Sequence, residues 1–444
     1  MRTSVKTISS VALFSMAICG STACRRNTTA SLAVTPENSH LSAVLPATAN
    51  STSRVAVRFL EERVKHDPDD LVALNKLAGY YLQLHRETDE VKYLELSLRA
   101  AQASLNVLPA DQNLGGLSAL ALAEFETHNF VAARDHAQEL TEYRPQSSSA
   151  YQLLGDASLE LGAYDDAAQA YQHLEHLDRG SVGTETRLAH FALLHGDVPS
   201  ARRRYERALI VASQESLPSE ETIAWCNWQL GEVRFASGDL AAAENHCQNA
   251  LSSFPDYPHA ISSLARLRVA QGDLNGAIAM YEKAVGLRND PVDCAALGDA
   301  YRLAGRERDA ERQFSALEKI SLKSELSARL YNRHLTMFWA NHDRQVAQAY
   351  ARARQEYNVR RDIYTADALA WTAFKVGKLP EARAAMNDAL SLGTLDASLF
   401  YHAGMIEQAA GNTASAQDYF RRSLKLNPHF DPTQSLIAKK ALAQ

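Results

Sequence analysis

Apolar residues recur every three or four positions through most of the chain, and the helices that this spacing predicts come in pairs. Residues 153–172 (LLGDASLELGAYDDAAQAYQ) and 263–282 (SLARLRVAQGDLNGAIAMYE) are typical examples. In each, a helix ends at Gly followed by a polar residue and a second helix begins at once, as expected where the chain reverses direction. The pattern predicts an all-α chain of helical hairpins.

An alanine in the same local setting recurs with a period close to 34 residues. Successive alanines are 34, 34, 42, 34, 33, 37, 35 and 34 residues apart: Ala133, Ala167, Ala201, Ala243, Ala277, Ala310, Ala347, Ala382 and Ala416. The separation of 42 places extra residues in a loop near 213–221. A period of this size indicates an array in which each unit packs on its neighbours.

Small and aromatic residues hold fixed places within this period. We expect the mid-helix glycines to let the second helix of a pair approach closely, namely Gly155, Gly231, Gly298 and Gly404. Four residues after several of the alanines stands an aromatic residue that shares the same helix face, namely Tyr171, Tyr205, Tyr281, Phe314 and Phe420. These positions predict close helix crossings filled by one ring.

The order Leu-Gly, Gly, Ala, aromatic, Ala and Pro over 34 residues resembles the tetratricopeptide repeat across about residues 70–428. The resemblance implies an all-α fold, a right-handed superhelical solenoid of about ten helix-turn-helix hairpins (an α-α superhelix). We expect the array to occupy residues 54–428, beginning with a half-repeat, and residues 429–444 to form a capping helix over its last apolar face.

Residues 330–428 carry a second resemblance. The segments NRHLTMFWANHD, VRRDIYTADALAW and FYHAGMIEQAAG resemble a block found in an uncharacterised family of bacterial tetratricopeptide (lipo)proteins. This resemblance names a family and implies no activity.

The first 23 residues are typical of an export signal peptide. Arg2 and Lys6 precede an apolar stretch at 7–18 that is too short to span a bilayer, and Ser21, Thr22 and Ala23 follow as small residues. Cys24 comes next, so two outcomes stay open: lipidation of Cys24, as in a bacterial lipoprotein, or simple cleavage after Ala23. The chain is predicted to be exported, either periplasmic or membrane-anchored through this one cysteine.

Composition narrows the partners. Residues 24–53 are rich in Ser, Thr and Ala without helical period, which predicts a disordered tether. With 46 Lys plus Arg against 52 Asp plus Glu, the chain has a net charge of −6 and lacks the basic surface that nucleic-acid binding needs. Cys226, Cys247 and Cys294 are spaced too widely for a metal motif and are predicted to be buried.

No sequence motif for catalysis, phosphate binding or metal binding is present. His173 and His176 lie three residues apart on a second helix, but two imidazoles without further ligands make a poor zinc site. Since the repeats use nearly all the ordered residues, we predict no enzyme activity, no cofactor and no metal.

In the tetratricopeptide family the first helix of each pair lines an inner groove, and the resemblance places a set of aromatic and polar residues there. The candidate partner-binding residues are Trp225, Trp228, Arg266, Arg302, Asn332, Trp339, Tyr364, Trp371 and Tyr401, with Arg329 on the same face. The set includes all four tryptophans of the chain, and rigid aromatic rings are common at binding surfaces. Alternatively, the tryptophans pack between neighbouring units.

These features predict a non-catalytic exported scaffold that binds a protein or peptide in the groove. The alternative is a cell-wall or carbohydrate-binding module that uses the Trp- and Tyr-lined wall. The sequence leaves the identity of the partner and the oligomeric state open.

Overall fold

The computed structural model describes residues 52–443, and all of its secondary structure is helical in that range. Its helices are α1 Thr52–His66, α2 Leu71–Thr88, α3 Lys92–Val107, α4 Leu114–Glu126, α5 Phe130–Tyr143, α6 Ser148–Glu160, α7 Tyr164–Leu177, α8 Val182–Leu194, α9 Val198–Gln214, α10 Glu220–Ala236, α11 Leu240–Ser253, α12 Pro258–Gln271, α13 Leu274–Leu287, α14 Pro291–Leu303, α15 Glu307–Ser321, α16 Glu325–Leu330, α17 Asn332–Asn341, α18 Val346–Tyr357, α19 Ile363–Lys375, α20 Leu379–Ala389, α21 Ala397–Ala409, α22 Thr413–Leu426 and α23 Gln434–Leu442. The predicted signal peptide, Cys24 and nearly all of the predicted tether lie outside the described residues.

The helices follow one another as ten pairs between α1 and α23, and the predicted all-α solenoid class is confirmed. In the eighth pair the first helix is divided at Tyr331 into α16 and α17. The first helices of the pairs are α2, α4, α6, α8, α10, α12, α14, α16 with α17, α19 and α21. The described residues form two compact bodies, one ending at Glu126 and a larger one beginning at Thr127. In the larger body, consecutive helices from α5 to α15 pack on one another, and so do those from α16 to α23.

The mid-helix glycines lie where the two helices of a pair cross. A Cβ atom on Gly298 would stand 2.4 Å from Cε1 of Phe314, and one on Gly404 would stand 2.5 Å from the same atom of Phe420. Gly155 faces Tyr171 in the same way, at 2.4 Å. Side chains essentially never approach this closely, so the ring occupies the volume that any other residue would need. The prediction that glycine permits a close crossing is confirmed.

Within the larger body, residues about 200 positions apart are in contact. The turns that end the third, fourth and fifth first helices meet the segments that precede or follow the last two pairs. The hydrogen bonds are Arg361 N to Leu161 O (3.1 Å), Ile363 N to Tyr164 Oη (2.8 Å), the Thr394 hydroxyl to Leu194 O, and Asn427 Nδ2 to Phe235 O (2.8 Å). The array of the larger body therefore curves enough to bring distant pairs together.

Gly162 lies at one of these contacts. Its φ of +77° is left-handed, as a helix-ending turn requires, and a Cβ there would lie 2.5 Å from the backbone carbonyl of Arg361. Beside it, the buried guanidinium of Arg360 forms ion pairs with Glu160 and with Asp362. Burial raises the pKa of the Glu160 carboxyl, and the Arg360 charge acts against that shift. Since a buried charge without its partner is strongly unfavourable, this ion pair demands that the two segments stay in register.

We predict that Gly298→Ala destabilises the protein by about 1–3 kcal/mol, because Phe314 has to move away from the new Cβ atom. Urea unfolding followed by circular dichroism measures the loss. Gly286→Ala is the matched control: Gly286 also lies in a helix, but no atom stands within 4 Å of the place that its Cβ would take, so alanine there should raise stability by up to about 1 kcal/mol. Equal effects of the two changes would contradict the close-crossing account.

Candidate functional site

The predicted groove residues lie on the first helices from α10 to α21, and most of them are buried. Trp228, Trp339, Trp371 and Tyr401 expose only 4%, 2%, 3% and 2% of their surface. Trp225, Arg266, Arg302, Asn332 and Tyr364 are partly buried. Arg329 is exposed on α16. The structure thus places the predicted set on one series of helices but leaves only part of it accessible to a partner.

Trp228 joins the fifth pair to the sixth. Its Nε1 donates a hydrogen bond to Oγ of Ser263 on α12, at 3.0 Å, and its ring stacks on His259 with centroids 4.7 Å apart. Tyr257 meets the same ring edge-on at 6.3 Å. All of these partners belong to the following pair, so the indole is a packing element between two units.

Trp371 and Trp339 are held in the same manner. Nε1 of Trp371 donates to Oδ1 of Asn341 on the preceding first helix, and its ring stacks on His402 of the following one at 4.2 Å. Trp339 donates to Oε1 of Glu318 at 2.7 Å. For these three tryptophans the burial favours the alternative of packing between units. A ring buried on both faces also offers no stacking surface to a sugar.

The basic candidates already have acidic partners. The Arg266 guanidinium contacts Oε1 of Glu232 at 2.6 Å and stacks over Phe235 at 4.0 Å. Burial alone would lower the pKa of Arg266, but Glu232 outweighs burial and raises it. Arg302 pairs with Glu311 at 3.2 Å. These contacts fix both guanidinium groups in place.

A polar chain that was not predicted from the sequence runs from one first helix to the next. An acidic side chain on one helix binds a basic side chain on the first helix of the next pair. The ion pairs or hydrogen-bonded pairs are Asp156–Arg187 (2.8 Å), Glu232–Arg266 (2.6 Å), Asp299–His342 (2.8 Å) and Asp367–His402 (2.8 Å). Three of the acids directly follow a mid-helix glycine, in Leu-Gly-Asp or Leu-Gly-Glu. That recurring triplet was the signal that could have revealed the chain of contacts.

Two cavities lie beside this polar chain. One, of about 210 Å³, is bounded by α12, α14 and the residues after α22, and its wall includes Arg266, Tyr281 and Asp299. A smaller one, of about 80 Å³, is bordered by Arg266 and by His190, whose pKa is lowered to about 4 by burial. Both cavities share Arg266 and Phe430, so the polar chain and the end of the array meet at one place.

The described residues show no cluster of His, Cys, Asp or Glu that could hold a metal ion. Cys226, Cys247 and Cys294 are buried as predicted, and burial raises the pKa of each thiol to about 12. Between residues 52 and 443, none of the helices is both long and apolar enough to span a bilayer.

Family comparisons identify the repeats. Models described as tetratricopeptide repeat match residues 118–182, 234–284 and 368–430. The chain is a tetratricopeptide repeat protein, and the resemblance found in the sequence is confirmed. Such repeats generally form non-catalytic scaffolds for protein interactions and commonly bind proteins or peptides.

Solved structures with related helix arrangements cover about half of the chain or less. PilW, described as a widely conserved type IV pilus biogenesis factor, is 16% identical over 48% of this chain and 96% of its own, with a TM-score of 0.39. MamA is 24% identical over 38% and 96%, with a TM-score of 0.30, and Pseudomonas aeruginosa pilF is 16% identical over 49% and 95%, with a TM-score of 0.38. Because these scores lie below 0.5, the assignment rests on the repeats and the helix pairs. No curated protein is similar enough in sequence to be matched to this chain.

We predict that Trp228→Ala and Trp371→Ala each lower the free energy of unfolding by about 3–5 kcal/mol, because a buried indole leaves a cavity behind. Trp225→Ala, at a partly buried ring, should lower it by less than about 2 kcal/mol. Thermal and urea unfolding measure these losses. If Trp228→Ala left stability unchanged while abolishing capture of a partner, the packing account would be wrong and the ligand-binding interpretation right.

Proposed function

We propose that this protein is an exported, non-catalytic scaffold that binds a protein or peptide along the first helices of its array. The observation that carries the proposal is the succession of tetratricopeptide repeats, which make up the matched segments. A series of similar pairs presents side chains at regular intervals, and such surfaces suit an extended partner.

The contacts within the array make this surface rigid. Side chains of neighbouring first helices bind one another through the polar chain from Asp156 to His402, so few of them would lose freedom when a partner binds. Binding costs less free energy when the contacting side chains are already ordered. A pre-ordered surface therefore supports a binding role.

The buried tryptophans narrow the proposed contact surface. We place the partner on the accessible members of the predicted set: the partly buried Trp225, Arg302, Asn332 and Tyr364, with exposed Arg329. Trp225 meets Tyr205 edge-on at 6.2 Å, so one aromatic pair near α10 combines a fixed position with an accessible edge. An aromatic edge beside basic groups suits a peptide with both apolar and acidic side chains.

A site-specific crosslink tests the contact surface. We predict that a photoreactive amino acid at Arg329, on a first helix, captures a partner protein in cells, whereas one at Gln248, equally exposed on the second helix α11, does not. Both positions are exposed, so neither substitution should disturb the fold. Equal capture at both positions would contradict binding along the first helices, and adducts made only of glycan would favour a carbohydrate-binding module.

Export is supported by the N-terminal sequence. The basic residues, the apolar stretch and the small residues before Cys24 have the order of a signal peptide. An anchor at Cys24 would hold the array near a membrane, and residues 25–51 would link the two.

We predict that mass spectrometry of the chain expressed in a bacterium finds Cys24 as its first residue. A thioether-linked diacylglycerol on Cys24, lost in Cys24→Ser together with membrane association, identifies a lipoprotein. An unmodified Cys24 at the N-terminus of a freely diffusing protein identifies simple cleavage. A chain that retains Arg2 and Lys6 would contradict export altogether.

A further inference from the structure

The larger of the two cavities has the size and wall of a small-molecule site. It measures about 210 Å³, far above the ~30 Å³ that one water takes and below the ~300 Å³ of pockets for drug-sized ligands. Apolar side chains line much of it: Val269, Ala296, Ala300, Leu303, Phe430 and Leu436. His429, Leu436 and Lys439 stand at its border, and exposed Leu436 and Lys439 make the cavity reachable from solvent.

Three polar atoms at this cavity have no hydrogen-bond partner among the described residues. They are Nε of Arg266, Oη of Tyr281 and Oδ2 of Asp299. Tyr281 exposes 1% of its surface and Asp299 4%. Nearly all buried polar groups in proteins are paired, so three unpaired ones around a single cavity require an explanation.

The charges at the cavity are already compensated within the protein. The Arg266 guanidinium is paired with Glu232, and Oδ1 of Asp299 is paired with Nε2 of His342 at 2.8 Å. A ligand with a net charge would leave that charge without a counterpart in a mostly apolar space. The ligand therefore needs a hydrogen-bond acceptor for Arg266 and Tyr281, a donor for Asp299, and no net charge.

We propose that this cavity binds a zwitterionic aliphatic α-amino acid. Its carboxylate accepts hydrogen bonds from Arg266 Nε and Tyr281 Oη, its ammonium group donates to Asp299 Oδ2, and its side chain packs on the apolar wall. The site lies apart from the accessible partner-binding residues and does not depend on the proposed scaffold function.

The experiment is isothermal titration of the purified full-length chain with L-leucine. Tyr281→Phe removes one hydroxyl and should weaken leucine binding about tenfold, the effect of losing one good hydrogen bond. Because no group between residues 52 and 443 bonds to that hydroxyl, the melting temperature should stay the same or rise. Tyr205→Phe is the matched control, since Tyr205 is equally buried at the same place of the fourth pair and does not border the cavity. Its leucine affinity should equal that of the unchanged chain.

Two further measurements distinguish the ends of the ligand. Asp299→Asn and the use of N-acetyl-leucine, which has no ammonium group, should each weaken binding by about tenfold or more, and so should leucinamide, which has no carboxylate. No saturable heat with leucine would overturn the proposal. So would equal affinities of Tyr281→Phe and Tyr205→Phe, or crystals grown with leucine that show only water in the cavity.

Discussion

The helix pairs of this protein depend on rings that lie directly over glycines. At Gly155, Gly298 and Gly404 the facing ring carbon comes within 2.4–2.5 Å of where a Cβ atom would be. Two helices held this closely have little freedom in their crossing angle. Since each pair is the surface on which the next pair packs, a fixed crossing within pairs transmits a fixed rotation along the array.

The polar chain between first helices adds a second constraint. A buried ion pair contributes little net stability, but it penalises any arrangement in which one partner is missing. Asp156 with Arg187 and Glu232 with Arg266 therefore act mainly on the register of neighbouring pairs. The same contacts occupy side chains that would otherwise be available to a ligand, which leaves the accessible binding surface smaller than the repeat pattern alone suggests.

The sequence predicted the features that depend on residues close together in the chain. The 34-residue period, the glycine crossings and the buried alanines all follow from local spacing, and the structure has them where expected. The burial of Trp371 could not be predicted in this way, because it depends on Asn341 and His402, about 30 residues to either side. The ion pair of Glu160 with Arg360 lay further out of reach. It results from rotation accumulated over six pairs, which a local pattern does not specify.

That distant ion pair limits how the chain can change length. Repeat proteins commonly gain or lose whole units by duplication and deletion, and such a change near either end of this chain would leave the residues between 160 and 360 in phase. A unit inserted between them would displace Arg360 from Glu160, Thr394 from Leu194 and Asn427 from Phe235 in a single event. The spacing of the middle repeats is thus fixed by closure of the array on itself, and evolutionary drift in repeat number should be confined to its outer ends.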